Sequence, residues 1–217
     1  MTIKDAKNNF IIDQALALFL ERPINEVTVH DIAVRAGVGE ATVYRYFSTK
    51  QNLVCAVAVK LEQQILDTYF DLSQAADGWG KLALFYRSYL KIFTTHREFF
   101  KFINEFDAFM LSEGKTDGNE YSSGLDEFKD LCSKAYEQGL ADGSITPVSD
   151  WTTFYYATTH ALLELCKKLS TADIVRQDID ANKEEEISAL TEIILYKLKG
   201  NNRIDVNLAR PAQDKNK

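Results

Sequence analysis

No apolar stretch in this chain approaches the length of a membrane span, and its polar start, MTIKDAKNNF, has no secretory-leader pattern. Both absences predict a soluble, cytoplasmic protein that makes no use of a membrane. Cysteine is scarce: Cys55, Cys132 and Cys166 are odd in number, far apart and without CxxC spacing, so neither a disulfide framework nor a metal or redox motif is indicated. They read as reduced core thiols. Histidine is scarcer in useful places, since His30, His96 and His160 fall in different predicted helices or at their ends. No Cys/His or Ser/His/Asp grouping has local support, and no glycine-rich phosphate loop is present, so the chain reads as no enzyme, with no catalytic residue, metal or cofactor. An excess of positive charge is missing too. The net charge is −7 and the pI about 5.1, which taken alone argues against a nucleic-acid partner. The distribution matters more: residues 1–60 carry seven Lys/Arg and six Asp/Glu, a net +1, leaving −8 for the remainder. An acidic body would be repelled by DNA and would turn the near-neutral end toward it, with affinity drawn from two subunits and from uncharged phosphate donors.

What is present is a helical chain of 217 residues and 24.6 kDa, 46% hydrophobic, large enough to bury a full core. Its organising stretch is TVHDIAVRAGVGEATVYRYFSTKQNL, Thr28 to Leu53. Thr28 and Asp31 have the spacing of a capping box, Ile32, Ala33 and Ala36 repeat at helical period, and Gly37 stops the helix. This predicts a helix over Val29–Ala36. Gly37-Val38-Gly39 suits a sharp turn, and a second short helix, Glu40–Phe47, is confined by a further predicted cap at Ser48 with Gln51. The pair is a helix-turn-helix, whose second helix can enter a DNA major groove. On it Val43 and Phe47 would pack inward. Glu40, Ala41, Thr42, Tyr44, Arg45 and Tyr46 are left as candidate DNA contacts, with Thr28, Arg35 and Lys50 beside them.

Phe10 to Val54 resembles the N-terminal DNA-binding domain of the TetR family of transcriptional regulators. The resemblance is carried by Ile11-Ile12-x-x-Ala15-x-x-x-Phe19, Thr28-Val29-x-Asp31-Ile32-Ala33, Ala36-Gly37-Val38 and Thr42-Val43-Tyr44-x-Tyr46-Phe47, with Lys50 and Leu53. It implies that Thr28, Thr42, Tyr44 and Lys50 touch DNA, mostly at phosphates, and that exposed residues from Glu40 to Arg45 read bases. Two departures stand out: Pro23 where the family usually has glycine, and Gly39 where a serine cap is common. It further implies an all-α chain of two parts: a three-helix helix-turn-helix domain over residues 1–52 and a helical ligand-binding and dimerisation domain over 53–200. Residues 201–217 read as a flexible tail.

Along the rest of the chain, the helix after Ser48 is expected to run to about Leu72, followed by a break from Ser73 to Gly80. Further helices are predicted over Lys81–His96, Glu98–Leu111, Leu125–Ala141, Trp151–Leu169 and Glu184–Lys199, with a polar loop from Glu113 to Ser122. Leu162, Leu165, Cys166 and Leu169, with Ile187, Leu190, Ile194 and Leu198, are expected at a two-fold four-helix interface. Aromatic stripes on consecutive helices suggest a mostly apolar pocket walled by Tyr89, Phe93, Phe102, Phe106, Phe128, Tyr155 and His160, with Glu105 as a carboxylate for a cationic aromatic guest. The function expected is that of a homodimer that binds a near-palindromic double-stranded operator and is released by an apolar or aromatic small-molecule effector. The alternative is a dimeric regulator with a filled core that takes no small molecule or answers to a protein partner.

Overall fold

A computed structural model describes residues 3–114, 119–171 and 182–199. Helices follow one another as α1 (Ile3–Glu21), a 3-10 turn (Ile24–Glu26), α2 (Val29–Arg35), α3 (Glu40–Phe47), α4 (Lys50–Tyr69), α5 (Gly78–Thr95), α6 (Arg97–Ser112), α7 (Asn119–Asp142), α8 (Trp151–Ser170) and α9 (Lys183–Leu198). No strand occurs among the described residues, and none of their helices is long and apolar enough to cross a membrane. The predicted tail lies outside the described residues.

The first three helices close over Ile11, Ala15, Phe19, Ile32, Val43 and Phe47, all buried at the spacing their sequence predicts. The long α4 belongs to both ends of the molecule. It packs on α1 and α3 and also on α5, α6 and α7, meeting α6 already in its first two turns, where Gln51 and Cys55 reach Met110. Behind it, α5 packs between α7 and α9, while α8 lies against α6 and α9.

Four predicted boundaries move. The α4 cap is Thr49, which accepts from Asn52 N–H at 3.1 Å; Ser48 instead sits at φ +63° while Thr49 N–H reaches Phe47 O at 2.7 Å, a tight γ-turn that lets α4 leave α3 sharply. That helix ends at Tyr69 rather than Leu72. The glycines read as a break belong to α5, which starts at Gly78 behind an Asp77 cap. They serve close packing, because a Cβ on Gly78 would lie 2.1 Å from Gly139 N in α7. Asp142, the last residue of α7, and Ser144 just beyond it then accept the Gly78 and Trp79 N–H groups at 2.9 and 3.0 Å, satisfying donors that a helix start leaves open. Likewise α7 already includes Asn119, so the polar loop is shorter than the composition of Glu113–Ser122 suggests. Gly124, inside α7, is a close-approach glycine, since a Cβ there would lie 2.5 Å from Glu62 Oε2.

Candidate nucleic-acid interface and aromatic interior

Thr28 and Asp31 form the complete capping box. Thr28 Oγ1 accepts from Asp31 N–H at 3.1 Å, and Asp31 Oδ2 accepts from Thr28 N–H at 2.8 Å. The bond from Thr28 N–H, together with one from Thr28 Oγ1–H, holds the Asp31 carboxyl below its ordinary range. Gly37 takes φ +63°, so the chain reverses without a strained side chain, and Gly39 enters α3 extended and with no side-chain cap. Donors at the start of α3 are therefore open to an outside acceptor.

Val43 and Phe47 are buried, which turns the rest of α3 outward. Ala41, Tyr44 and Arg45 are exposed, Tyr44 by 46%, and Thr42 and Tyr46 are half-buried. The Arg45 guanidinium lies 5.6 Å over the Tyr46 ring. Glu40 is exposed and paired with His30 Nδ1 at 2.8 Å, and Arg35 with Glu21 at 2.8 Å. Such exposed pairs contribute little to stability and yield readily to a phosphate. Lys50 differs from its neighbours. Its ammonium turns back on the protein, donating to Ile24 O at 2.5 Å above the Phe109 ring, where burial lowers its affinity for a proton. A phosphate contact from Lys50 would require that bond to open.

The predicted aromatic wall divides into separate groups. Tyr89, Phe128 and Tyr155 are brought together through two rings that the sequence did not single out: Phe70 stands edge-on to Phe128 at 4.9 Å, to Phe85 at 5.1 Å and to Tyr89 at 6.3 Å, and Phe85 reaches Tyr155 at 6.5 Å. Tyr86 O–H meets Thr158 Oγ1 at 2.8 Å beside this cluster. Tyr89 keeps accessible ring surface, yet burial holds its hydroxyl well above the ordinary tyrosine range, and no described residue hydrogen-bonds to it.

The other expected wall residues lie elsewhere. Phe93 packs on Phe100 and beneath the Arg97 guanidinium. Phe102 faces Phe19 of α1 at 6.4 Å and stacks with Phe106 at 6.2 Å, so these two join α6 to the first helices. Glu105 is half-buried and uses its carboxylate on the backbone: its Oε2 accepts Ile24 N–H at 2.9 Å. His160 is exposed beside Tyr156, neither core nor wall. The buried carboxyl among the described residues is instead Glu62 on α4, which the sequence reading did not single out although position 62 shares a helical face with Leu66 and Phe70.

The expected interface residues also face inward. Leu162, Cys166, Leu169, Ile187, Ile194 and Leu198 are buried within the single chain, and burial pushes the Cys166 thiol up to about 12. Outward on α8 and α9 stand Tyr156, Ile193 and Tyr196, with Ile193 67% exposed, and Leu190 half-buried between the two sides.

Residues 11–57 match the family model described as bacterial regulatory proteins, tetR family. The chain is 27% identical over 143 residues to the HTH-type transcriptional repressor KstR2 of Rhodococcus jostii (strain RHA1), spanning 65% of this chain and 69% of that one. In fold it is similar to the fatty acid degradation regulator FadR from Bacillus halodurans, with a TM-score of 0.65 and 17% identity over 86% of this chain and 97% of that one. FadR from Bacillus subtilis, solved in complex with stearoyl-CoA, gives a TM-score of 0.64 and 17% identity over 87% and 97%.

Proposed function

We propose, for a chain that belongs to the TetR family of DNA-binding transcriptional regulators, that it is a homodimeric repressor released from its operator by a small molecule. One observation carries the DNA reading: α3 presents Ala41, Tyr44 and Arg45 outward from an uncapped helix start, on a pair of helices locked by the Thr28–Asp31 box. In this reading the domain of residues 1–52 docks α3 in the major groove. Tyr44 and the open N–H groups hold phosphates, and Arg45 reads base edges, with Thr28, Arg35, Glu40, Thr42 and Tyr46 flanking. Residues 53–200 form the effector-binding and dimerisation part. Dimerisation is supported by Ile193, Tyr196 and Tyr156, large apolar side chains left outward on α8 and α9. An effector site is supported by the aromatic cluster in which Phe70 joins Tyr89 to Phe128 and Phe85 reaches Tyr155. It would act by binding the DNA-free arrangement more tightly, shifting α4 and with it the spacing of the two reading heads.

A filled-core regulator without a small-molecule effector is favoured by the same ring contacts, which leave Phe70 in touch with three partners. DNA fragments selected by the purified protein test the first reading. They should share an inverted repeat with half-sites one helical turn apart, and Arg45→Ala should relax the base preference within each half. Selection of unrelated sequences, or an unchanged consensus for Arg45→Ala, would overturn it.

A further inference from the structure

Glu40 opens α3, and its Oε1 lies 2.8 Å from Nδ1 of His30 in the first turn of α2. A carboxylate only accepts, so Nδ1 carries the proton and donates. Among the described residues no other hydrogen bond reaches Glu40, which leaves its Oε2 open. Both side chains are exposed, His30 by 68% and Glu40 by 48%, and as a surface ion pair they contribute little to stability. Their position is the unexpected part. A recognition helix meets base edges with its N-terminal residues, and a carboxylate there is repelled by the phosphates lining the groove. Residues 1–60 have little charge to set against that repulsion, a net +1. Arg22 and Arg35 do not relieve it either, since they pair with Asp31 at 3.4 Å and Glu21 at 2.8 Å. A negative group that lowers general affinity for DNA is explained if it discriminates between sequences.

We infer that Glu40 selects a cytosine in each half-site, accepting from its N4 amino group with the oxygen that His30 leaves open, and that His30 is the positioning residue that aims it. The inference rests on the DNA reading above, in which α3 enters the major groove, and names a base that it selects. Seen from that groove, guanine offers two acceptors, and thymine an acceptor and a methyl group. Adenine has an amino donor but sets the N7 acceptor beside it, whereas cytosine offers its amino donor with no acceptor on the same base. A carboxylate therefore meets cytosine without facing a lone pair of that base. The bond from His30 Nδ1–H fixes one carboxylate oxygen, so the other is presented in one direction before DNA arrives.

Selection of DNA fragments by the full chain and its variants, followed by anisotropy on the selected operator, tests this. Each half-site should hold one fixed C·G pair, at which Glu40→Ala loses the preference by about fivefold or more. Glu40→Gln should move the preference at that pair toward adenine, which a carboxamide can meet at both N6 and N7. Removing the charge should also tighten binding to unrelated DNA, so Glu40→Ala should lose selectivity while gaining general affinity, which damage to the fold would not produce. His30→Ala should lose part of the same preference. His30→Asn, which returns a donor near the place of Nδ1, should restore it. An operator carrying N4-methylcytosine at that position keeps its pairing but loses the groove-side N4 proton; it should bind the wild type as weakly as a changed base and Glu40→Ala no differently from before. Circular dichroism reports that each variant is folded. An unchanged consensus in Glu40→Ala, a preference kept in full by His30→Ala, or full affinity for the N4-methylated operator would overturn the inference and leave the DNA reading standing. Selection of unrelated sequences by the wild type would overturn both.

Discussion

Residues 28–50 and the aromatic cluster around Phe70 are held together on opposite terms. In the first region the decisive contacts span two to four residues: Thr28 with Asp31, Ala36 N–H with Ile32 O, Thr49 with Asn52. In the second they span most of a helix or more, as Phe70 with Phe128, Phe85 with Tyr155, and Tyr86 with Thr158, 72 residues apart. A region set by short-range bonds can be damaged piece by piece. One set by distant partners stands or falls with the packing of whole helices, so equal chemical changes should have unequal effects.

The largest expected effect is at the crossing of α5 and α7. Gly78→Ala puts a methyl 2.1 Å from Gly139 N, where backbone rather than a flexible side chain must yield. We expect a loss of about 3 kcal/mol in urea unfolding, the upper end for overpacking, with α5 and α7 affected first. A loss below that of a single helix cap would show that the crossing is looser than the contact distance implies.

Glu62→Gln comes next and its sign depends on pH. The folded carboxyl takes up its proton at about 8 against an ordinary 4.5, so between those values the native state holds the extra proton. Its contribution to stability is fully present below about 4.5 and is lost as pH rises toward 8, at no more than about 1.4 kcal/mol per pH unit. The glutamine has no such slope. Thermal unfolding should show Glu62→Gln gaining on the wild type from pH 5 to pH 8; parallel curves would mean that water reaches the carboxyl.

Thr28→Ala is smaller. Removing the hydroxyl leaves Asp31 N–H without its cap and should cost about 1 kcal/mol. The damage should stay local, with operator affinity falling more than global stability, as measured by anisotropy and urea unfolding on the same preparation. A uniform loss across the molecule would erase the contrast between the two regions.

This contrast also explains what could be read from the residues. Capping spacing, a Gly37 at positive φ and the inward pair Val43 and Phe47 place α2 and α3 within one residue, because each signal and its partner lie within one turn. The family model covers much the same part, residues 11–57. Further along, helix existence was legible from period, whereas the partners of each face were not. Phe102 and Phe106 share a stripe that fits a pocket wall as well as it fits Phe19, and only the placement of α6 against α1 decides. Gly78 read as loop punctuation because the helix it faces is distant in sequence. Ile187, Ile194 and Leu198 read as interface for the same reason: an apolar face does not say which neighbour covers it.

The smallest expected effect on stability falls where the two regions meet. Ile24, in the turn after α1, has both backbone groups taken from outside its own helix pair: its N–H by Glu105 Oε2 of α6 at 2.9 Å, and its carbonyl by Lys50 Nζ of α4 at 2.5 Å. Any movement of α6 relative to α4 must therefore pull on the frame that carries α3. Glu105→Ala frees one half-buried N–H and should cost only about 0.5–1.5 kcal/mol in urea unfolding, less than the α5–α7 crossing. Its effect on control should be larger than its effect on stability. In the effector reading, the variant should hold operator DNA within about twofold of wild type while needing a higher ligand concentration for release, since one of the two ties between α6 and the turn is gone. Stability and release should also separate by residue: Lys50→Met, which cuts the other tie, should weaken release in the same direction, and the double variant should add little further if both act through Ile24. Release that is unchanged in both single variants would make the bonds to Ile24 passive packing, and coupling between the two regions would then have to run through α4 alone.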